Sequence, residues 1–310
     1  MKISIAMATY NGANYLQEQL DSFVAQSRLP DELVVCDDAS SDETIAILTR
    51  FAQAAPFIVI IVGNEKNLGY VKNFEKVISL CSGDYIFLSD QDDVWFSNKL
   101  EVVLRHFEKS AAQLVINDIA VSCSVTGSQV STLNKLKKNK VSQDWYVNGC
   151  ATAITKEYKK MILPFPESVT QHDVWINHLA RYLGIRSVLS QVLQIYRRHE
   201  SNTARFDIGR QSFYANIKQV LCVDKEETIN SWQRTLNQNS EYLIAMKRFG
   251  VFETERRYIY LCEQSRVYEN RITCLKKIRI KRVGMIVGMA FAGRYKYCDG
   301  WRSAVFDLLV

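Results

Sequence analysis

The sequence predicts an α/β fold, a doubly wound and mostly parallel sheet followed by a helical carboxyl-terminal region. Three observations predict it. Short apolar, β-branched runs alternate with stripes at helical spacing through the amino-terminal third. Polar and acidic residues gather where those runs end, as they do at the carboxyl edge of an open α/β sheet. From about Phe206 the strand signals stop and helical patterns take over. At 310 residues and 47% hydrophobic composition the chain can bury one large core or two, and the expected division is residues 1–205 and residues 206–310.

The elements follow in order. Residues 2–7 alternate into an apolar strand, and Asn11-Gly12 marks a tight turn after it. Leu16, Leu20, Phe23 and Val24 make a helical stripe across residues 15–25, which Pro30 punctuates. Residues 33–36 form the second strand, ending in Asp37-Asp38-Ala39-Ser40. Ser40 with Glu43 fits a capping box for a helix whose face is Ile45, Leu48 and Phe51. Residues 58–62 are a third strand, residues 64–69 a polar turn, and Val71, Phe74, Val77 and Ile78 the next stripe. The fourth strand, residues 85–88, is aromatic and β-branched and delivers Asp90, Asp92 and Asp93 at its end. Leu100, Val103, Leu104 and Phe107 predict a helix, and residues 114–117 and 119–122 predict strands. Residues 134–140 hold four lysines and read as a flexible polar loop, with contact to an anionic carrier as the sharper alternative.

Composition excludes several classes. A net charge of +6 is modest, and the basic stretch near the end lacks a recognition motif, so nucleic acid is not an expected partner. The eight cysteines form no CxxC pair and no metal-finger spacing, which makes free buried thiols the expectation. The amino terminus enters a strand pattern without a signal-peptide core, so a cytoplasmic location is expected.

Chemistry concentrates at the acidic turn. Three carboxylates within four residues repel, and a divalent cation relieves them. All-oxygen donors favour Mg2+ or Mn2+. The bland alternative is a solvated acidic turn capping the next helix. At the same edge Asp38 can accept from a base N–H and the Tyr10 ring can cover a base face, while Lys66, Asn67, Lys72 and Asn73 can reach ribose or phosphate. A second constellation, Gln171-His172-Asp173-Val174-Trp175, precedes a helical stripe; Asp173 there suits either a first helical turn or a general base.

Met7-Ala8-Thr9-Tyr10-Asn11-Gly12, Val35-Cys36-Asp37-Asp38-Ala39-Ser40-Ser41-Asp42, Asn67-Leu68-Gly69 and Leu88-Ser89-Asp90-Gln91-Asp92-Asp93-Val94-Trp95 resemble the motifs of family two inverting glycosyltransferases with a GT-A fold. The Ser-Asp-Gln-Asp-Asp-Val-Trp form is similar to that of bacterial rhamnosyltransferases of surface polysaccharide assembly. The resemblance implies a nucleotide-sugar donor bound by Ala8, Tyr10, Asn11, Asp38, Asn67, Lys72, Asp90, Gln91 and Arg198. It implies Asp92 and His199 as metal ligands, Asp173 as base, and Trp95, Gly149 and His172 on the acceptor side. Gly149 would let backbone approach sugar closely. His199 belongs to Tyr196-Arg197-Arg198-His199, where either arginine can brace the donor diphosphate. The implied donor is dTDP-rhamnose, with a UDP-hexose open beside it, and the implied acceptor a lipid-linked glycan. A sugar nucleotidyltransferase would bring a glycine-rich basic loop near residues 8–14, which is absent; a non-catalytic membrane scaffold would not need Asp90, Asp92 and Asp173.

In the last third Trp232, Leu236, Leu243, Met246 and Phe249 are spaced as a buried stripe. Residues 266–302 carry ten basic residues against two acids, a local net of +8, around an apolar run at 283–292 too short to span a bilayer. That pattern suits an interfacial helix on anionic lipid, which would make the protein peripheral at the inner face of a bacterial cytoplasmic membrane.

Overall fold

The computed structural model describes residues 1–123, 129–198, 224–252, 255–277 and 279–309. These residues fall into two compact units, one holding residues 1–165 with 169–198, the other holding residues 166–168 with those from Asp224 onward.

The first unit is built on one sheet. Its parallel half joins β1 (Ile3–Thr9), β2 (Glu32–Asp37), β3 (Ile58–Gly63) and β4 (Tyr85–Ser89) in the order β3-β2-β1-β4. The register sets Thr9 beside Asp37 and Met7 beside Ser89, so the loops after β1, β2 and β4 leave one edge together. Alternate residues serve opposite faces, as a sheet covered on both sides requires. Ile3, Ile5, Met7, Leu33, Val35 and Phe87 pack on α1 (Ala13–Val24), α2 (Thr44–Ala54) and α4 (Lys99–Glu108). Helix α3 (Tyr70–Leu80) packs on β1 and β2, burying Phe74, Val77 and Ile78.

The other half of the sheet is mixed. Beyond β4 come β8 (Thr152–Thr155), antiparallel to it, then β6 (Leu114–Cys123), β9 (Arg186–Arg198) and the two-residue β5 (Val94–Trp95), with β7 (Gln129–Ser131) on β6. The pairs of strands expected at 114–117 and 119–122 are one strand, irregular in register around Asp118. The Asp118 carboxylate turns there to accept from Ile119 N–H, Leu133 N–H and the Ser131 hydroxyl.

Two local expectations are corrected. Residues 134–140 are mostly helix, α5 (Thr132–Lys138), because Ser131 caps Asn134 N–H at 3.1 Å and Leu133 and Leu136 are buried one turn apart. The capping box at Ser40 does not form: its hydroxyl donates to Asp37, and Asp42 accepts from Thr44 N–H at the start of α2. Helices α6 (Lys156–Ile162) and α7 (His172–Leu183) complete this unit.

The second unit contains α8 (Lys225–Arg248), α9 (Arg256–Lys276), α10 (Arg279–Phe291) and α11 (Trp301–Leu309). In α8 the deepest residues are Asn239, Tyr242 and Met246, with Trp232, Leu236, Leu243 and Phe249 only half-buried. Met246 belongs to the expected stripe, and on the same buried side Asn239 donates to Ser265 of α9 at 3.1 Å. A buried Arg271–Asp307 ion pair at 2.8 Å, supported by the Tyr295 hydroxyl, ties α9 to α11.

Candidate active site

At the open edge of the parallel strands the loops are held by side chain to backbone bonds. Asp37 accepts from the Thr9 hydroxyl and from both Ser40 groups, and Asn11 N–H donates to Ser40 Oγ. Asn11 adopts the left-handed region at φ 48° and receives Ser41 N–H on Oδ1. Gln91 reaches from the acidic turn to grip Tyr10 twice, accepting its N–H at 2.8 Å and donating to its C=O at 3.0 Å. That amide lies against Gly12, where a Cβ would overlap it. Ala8 is half-buried below this latch, and the Tyr10 ring stands 50% exposed beside it.

Asp38 is buried, and its carboxylate faces the turn after β3. Oδ1 accepts from Leu68 N–H and Asn64 Nδ2, and Oδ2 from Gly69 N–H at 2.9 Å. A carboxylate has about four acceptor positions, so one remains on Oδ2. Asn67 is exposed and bonds the Asp38 carbonyl. Lys72 pairs with Glu75 at 2.9 Å. Asn73 does not reach outward: it is 1% exposed and donates to Cys36 C=O, bracing β2.

The acidic turn closes over a buried polar network. Donor atoms of Asp90, Asp93 and Cys150 lie within 4.8 Å of one another. Burial, then the neighbouring carboxylates Asp92, Asp93 and Asp173, hold Asp90 well above the usual carboxylate range. Asp93, fully buried, is pushed up to about 7 by burial and by Asp92. Its Oδ2 accepts from Gln194 Nε2 at 2.8 Å, and its buried Oδ1 meets no donor at hydrogen-bonding geometry among the described residues. Lys99 sits beneath, donating to Gln194 Oε1 and to Cys150 C=O, and burial drives it down to about 7. Sequence reasoning missed Lys99 and Gln194. The signal was a lysine on the apolar stripe of α4, four residues before Val103 and eight before Phe107.

Trp95, expected on the acceptor side, is 3% exposed in the core, edge-on to Phe23 at 4.8 Å and under the Lys99 ammonium at 3.6 Å. Pairing of β5 with β9 draws it inward.

Helix α7 brings the second constellation to the first. Asp173 lies in its first turn, half-buried, and its charge is felt at Asp90 and at the Tyr70 hydroxyl. His172 is buried, stacked on Phe74 at 3.9 Å with Tyr70 edge-on, and burial lowers its pKa, so the ring is neutral. Among the described residues neither ring nitrogen has a hydrogen-bond partner. Gly149 meets these residues: a Cβ there would lie 2.9 Å from His172 Nε2. In this structure the glycine makes room for the first turn of α7.

On β9 alternate side chains share a face. Gln194 and Tyr196 face the acids; burial, then Cys150 and the carboxylates of Asp90, Asp93 and Asp92, raise the Tyr196 hydroxyl, and Arg198 has the same parity. Arg197 turns the other way, pairing with Glu18 and lying 5.7 Å from the Tyr15 ring. His199 lies outside the described residues.

The model of the family described as glycosyl transferase family 2 matches residues 4–163, more than half of the chain, including the loops after β1, β2 and β4 but not α7 or β9. The chain belongs to glycosyl transferase family 2. This family 2 glycosyltransferase is 29% identical to the dTDP-rhamnosyl transferase RfbG of Shigella flexneri over 74% of this chain and 81% of the relative. It is also 29% identical to the UDP-Glc:alpha-D-GlcNAc-diphosphoundecaprenol beta-1,3-glucosyltransferase WfgD of Escherichia coli, over 44% of this chain and 55% of the relative. Among solved structures it resembles S. aureus TarS in complex with UDP-GlcNAc, at TM-score 0.55 and 18% identity, covering 94% of this chain and 92% of the other. The mannosyltransferase PcManGT from Pyrobaculum calidifontis, in complex with GDP-Man and Mn2+, matches at TM-score 0.53 and 15% identity over 94% and 76%. The fold is that of the GT-A glycosyltransferases, with a helical carboxyl-terminal region.

The family 2 site has the donor set for a hard dication. Asp90 and Asp93 would supply oxygens, and Asp93 Oδ1, without a hydrogen-bond partner among the described residues, is the kind of atom an ion would complete. Cys150 is a neutral wall rather than a thiolate ligand: burial, then Asp93 and Asp90, hold its thiol protonated, and it donates to Asn148.

Proposed function

We propose that this glycosyltransferase moves a sugar from a nucleotide donor to a lipid-linked glycan with inversion at the anomeric carbon, in assembly of a surface polysaccharide. The observation that carries the reading is the arrival of Asp173, on α7, against the acid cluster at the end of β4. Asp173 takes the proton of the acceptor hydroxyl as that oxygen attacks the anomeric carbon and the nucleoside diphosphate leaves. The exposed Tyr10 ring covers the base and the remaining acceptor position of Asp38 receives its N–H. Ala8, Asn11, Asn67, Lys72 and Gln91 line the donor edge, and Arg198 braces the diphosphate from the acidic face of β9. Asp90 and Asp93, with Asp92 between them and His199 beyond β9, would hold Mn2+ or Mg2+, which neutralises the departing diphosphate. His172 acts as a neutral positioning ring for Asp173.

L-Rhamnose from dTDP-rhamnose is the favoured donor, supported by the likeness to RfbG over most of both chains. A UDP-hexose is the second reading, supported by the shorter match to WfgD. Incubation with dTDP-rhamnose, UDP-glucose, UDP-galactose and UDP-N-acetylglucosamine, with and without Mn2+, separates them by transfer to an undecaprenyl-diphosphate glycan and by release of nucleoside diphosphate. Asp173→Asn is expected to lower turnover by about 10²- to 10⁴-fold with donor binding retained. Asp93→Asn is expected to lose the thermal stabilisation that Mn2+ brings to the unmodified enzyme. Unchanged turnover in Asp173→Asn removes the base assignment, and an unchanged Mn2+ stabilisation in Asp93→Asn removes the metal one.

A further inference from the structure

Helix α10 (Arg279–Phe291) is amphipathic in an unusual sense. Its inner face buries Ile286 and Met289 against Cys274 and Tyr295. Its outer face exposes Val283 at 48%, Val287 at 44% and Phe291 at 91%. These three lie four residues apart and share one side of the helix. From Val283 to Gly293 there is no charged side chain at all. A helical stretch apolar on every side is ordinarily enclosed, yet from Val283 onward the outer side of α10 is exposed and lined by valine, glycine, alanine and phenylalanine.

What surrounds that side is basic. Lys276, Lys277 and Lys281 are exposed at its start, and Arg294, Lys296 and Arg302 are exposed beyond its end. Trp301 is 61% exposed beside Arg302. Against them stands one exposed acid in the stretch 276–302, Asp299. No helix among the described residues is long and apolar enough to cross a membrane. An apolar stripe of this length with cationic ends is matched by a surface whose interior is hydrocarbon and whose boundary is anionic.

We propose that α10 lies in the plane of an anionic lipid bilayer, with Val283, Val287 and Phe291 in the acyl boundary and Lys281, Arg294 and Lys296 on the headgroups. The purpose of this seat rests on the lipid-linked acceptor proposed above. Its chemistry does not, because docking needs neither donor nor acceptor. The arrangement lays the helix on the bilayer rather than through it, which makes attachment reversible and dependent on salt.

Flotation of the full chain with phosphatidylcholine vesicles, and with vesicles containing about a third phosphatidylglycerol, tests the assignment. Binding is expected only to the anionic vesicles and is expected to fall when salt rises from 0.1 to 0.5 M, as screening shortens to a few ångströms. Phe291→Ser with Val287→Ser is expected to weaken binding by about tenfold or more, from the apolar area withheld. Each neutralisation among Lys281→Gln, Arg294→Gln and Lys296→Gln is expected to weaken it by about fivefold. All five side chains are exposed, so the variants keep the parent's unfolding midpoint, and donor hydrolysis in buffer without lipid is unchanged. Equal binding of parent and Phe291→Ser/Val287→Ser, or equal binding to neutral vesicles, overturns the proposal. So does a concentration-dependent dimer, seen by light scattering, that Phe291→Ser/Val287→Ser abolishes while vesicle binding persists. Loss of vesicle binding with intact donor hydrolysis separates this seat from the transfer reaction.

Discussion

Replacing Gly149 by alanine tests whether the first turn of α7 is held where the reaction needs it. A methyl there would lie 2.9 Å from His172 Nε2 and 3.3 Å from Asp173 Cβ. Comfortable contact begins near 3.5 Å, so the ring must yield about 0.6 Å and Asp173 about 0.2 Å. The ring has nowhere to go: it is buried and stacked on Phe74 at 3.9 Å with planes 13° apart. The displacement therefore passes to the start of α7, and Asp173 travels with it. Misplacing a reacting group by about 1 Å costs about 10²-fold, so a shift of about half that predicts a fall in kcat of about tenfold or more. Overpacking adds a stability loss of about 1–3 kcal/mol. Donor affinity is expected to hold, because Tyr10, Asp38 and Gln91 lie on the loops after β1, β2 and β4. Steady-state kinetics with calorimetric donor binding measure the two effects, and urea unfolding the third. A Gly149→Ala enzyme with parental kcat and parental midpoint would refute the packing on which the positioning of Asp173 depends.

Two further outcomes follow from the buried groups. Lys99→Met keeps the stem but removes the ammonium from Gln194 and Cys150 C=O, leaving Asp93 tied to an amide that has lost its own donor. A loss of about 3 kcal/mol in urea unfolding is expected; a loss under about 1 kcal/mol would show that the network is not held by that charge. His178 is pushed down to about 4 by burial and by Arg181 and Arg186, so the folded state keeps it neutral where the unfolded chain, near 6.5, takes a proton. The unfolded state binds more protons in that window, and stability is lost as pH falls from about 6.5 to about 4. His178→Asn is expected to flatten the unfolding midpoint across that range, and an unchanged slope would contradict the assignment.

Much was legible without coordinates. Periods of two and of about 3.6 are local properties of the chain, so β1 to β4 and α1 to α4 could be placed from the spacing of Ile3, Ile5 and Met7 or of Leu100, Val103 and Phe107. Parallel pairing then put Thr9, Asp37 and the turn after Ser89 on one edge, and the ordered motifs there named the family. Where side chains satisfy one another, the same reading went astray. Ser40 prefers Asp37 to a helix cap, and Trp95 enters the core although its motif is read as acceptor-facing.

The amino-acid sequence by itself determined the class of fold, the edge that carries the acids and the family to which the chain belongs, because each is written in neighbours a few residues apart. Only the tertiary structure decided that Lys99 meets Gln194 across 95 residues, that Gly149 exists for His172 and Asp173, and that the apolar side of α10 is open. Burial makes an unmet polar group costly and an exposed apolar one conspicuous, and burial is a property of the folded chain that no local period records.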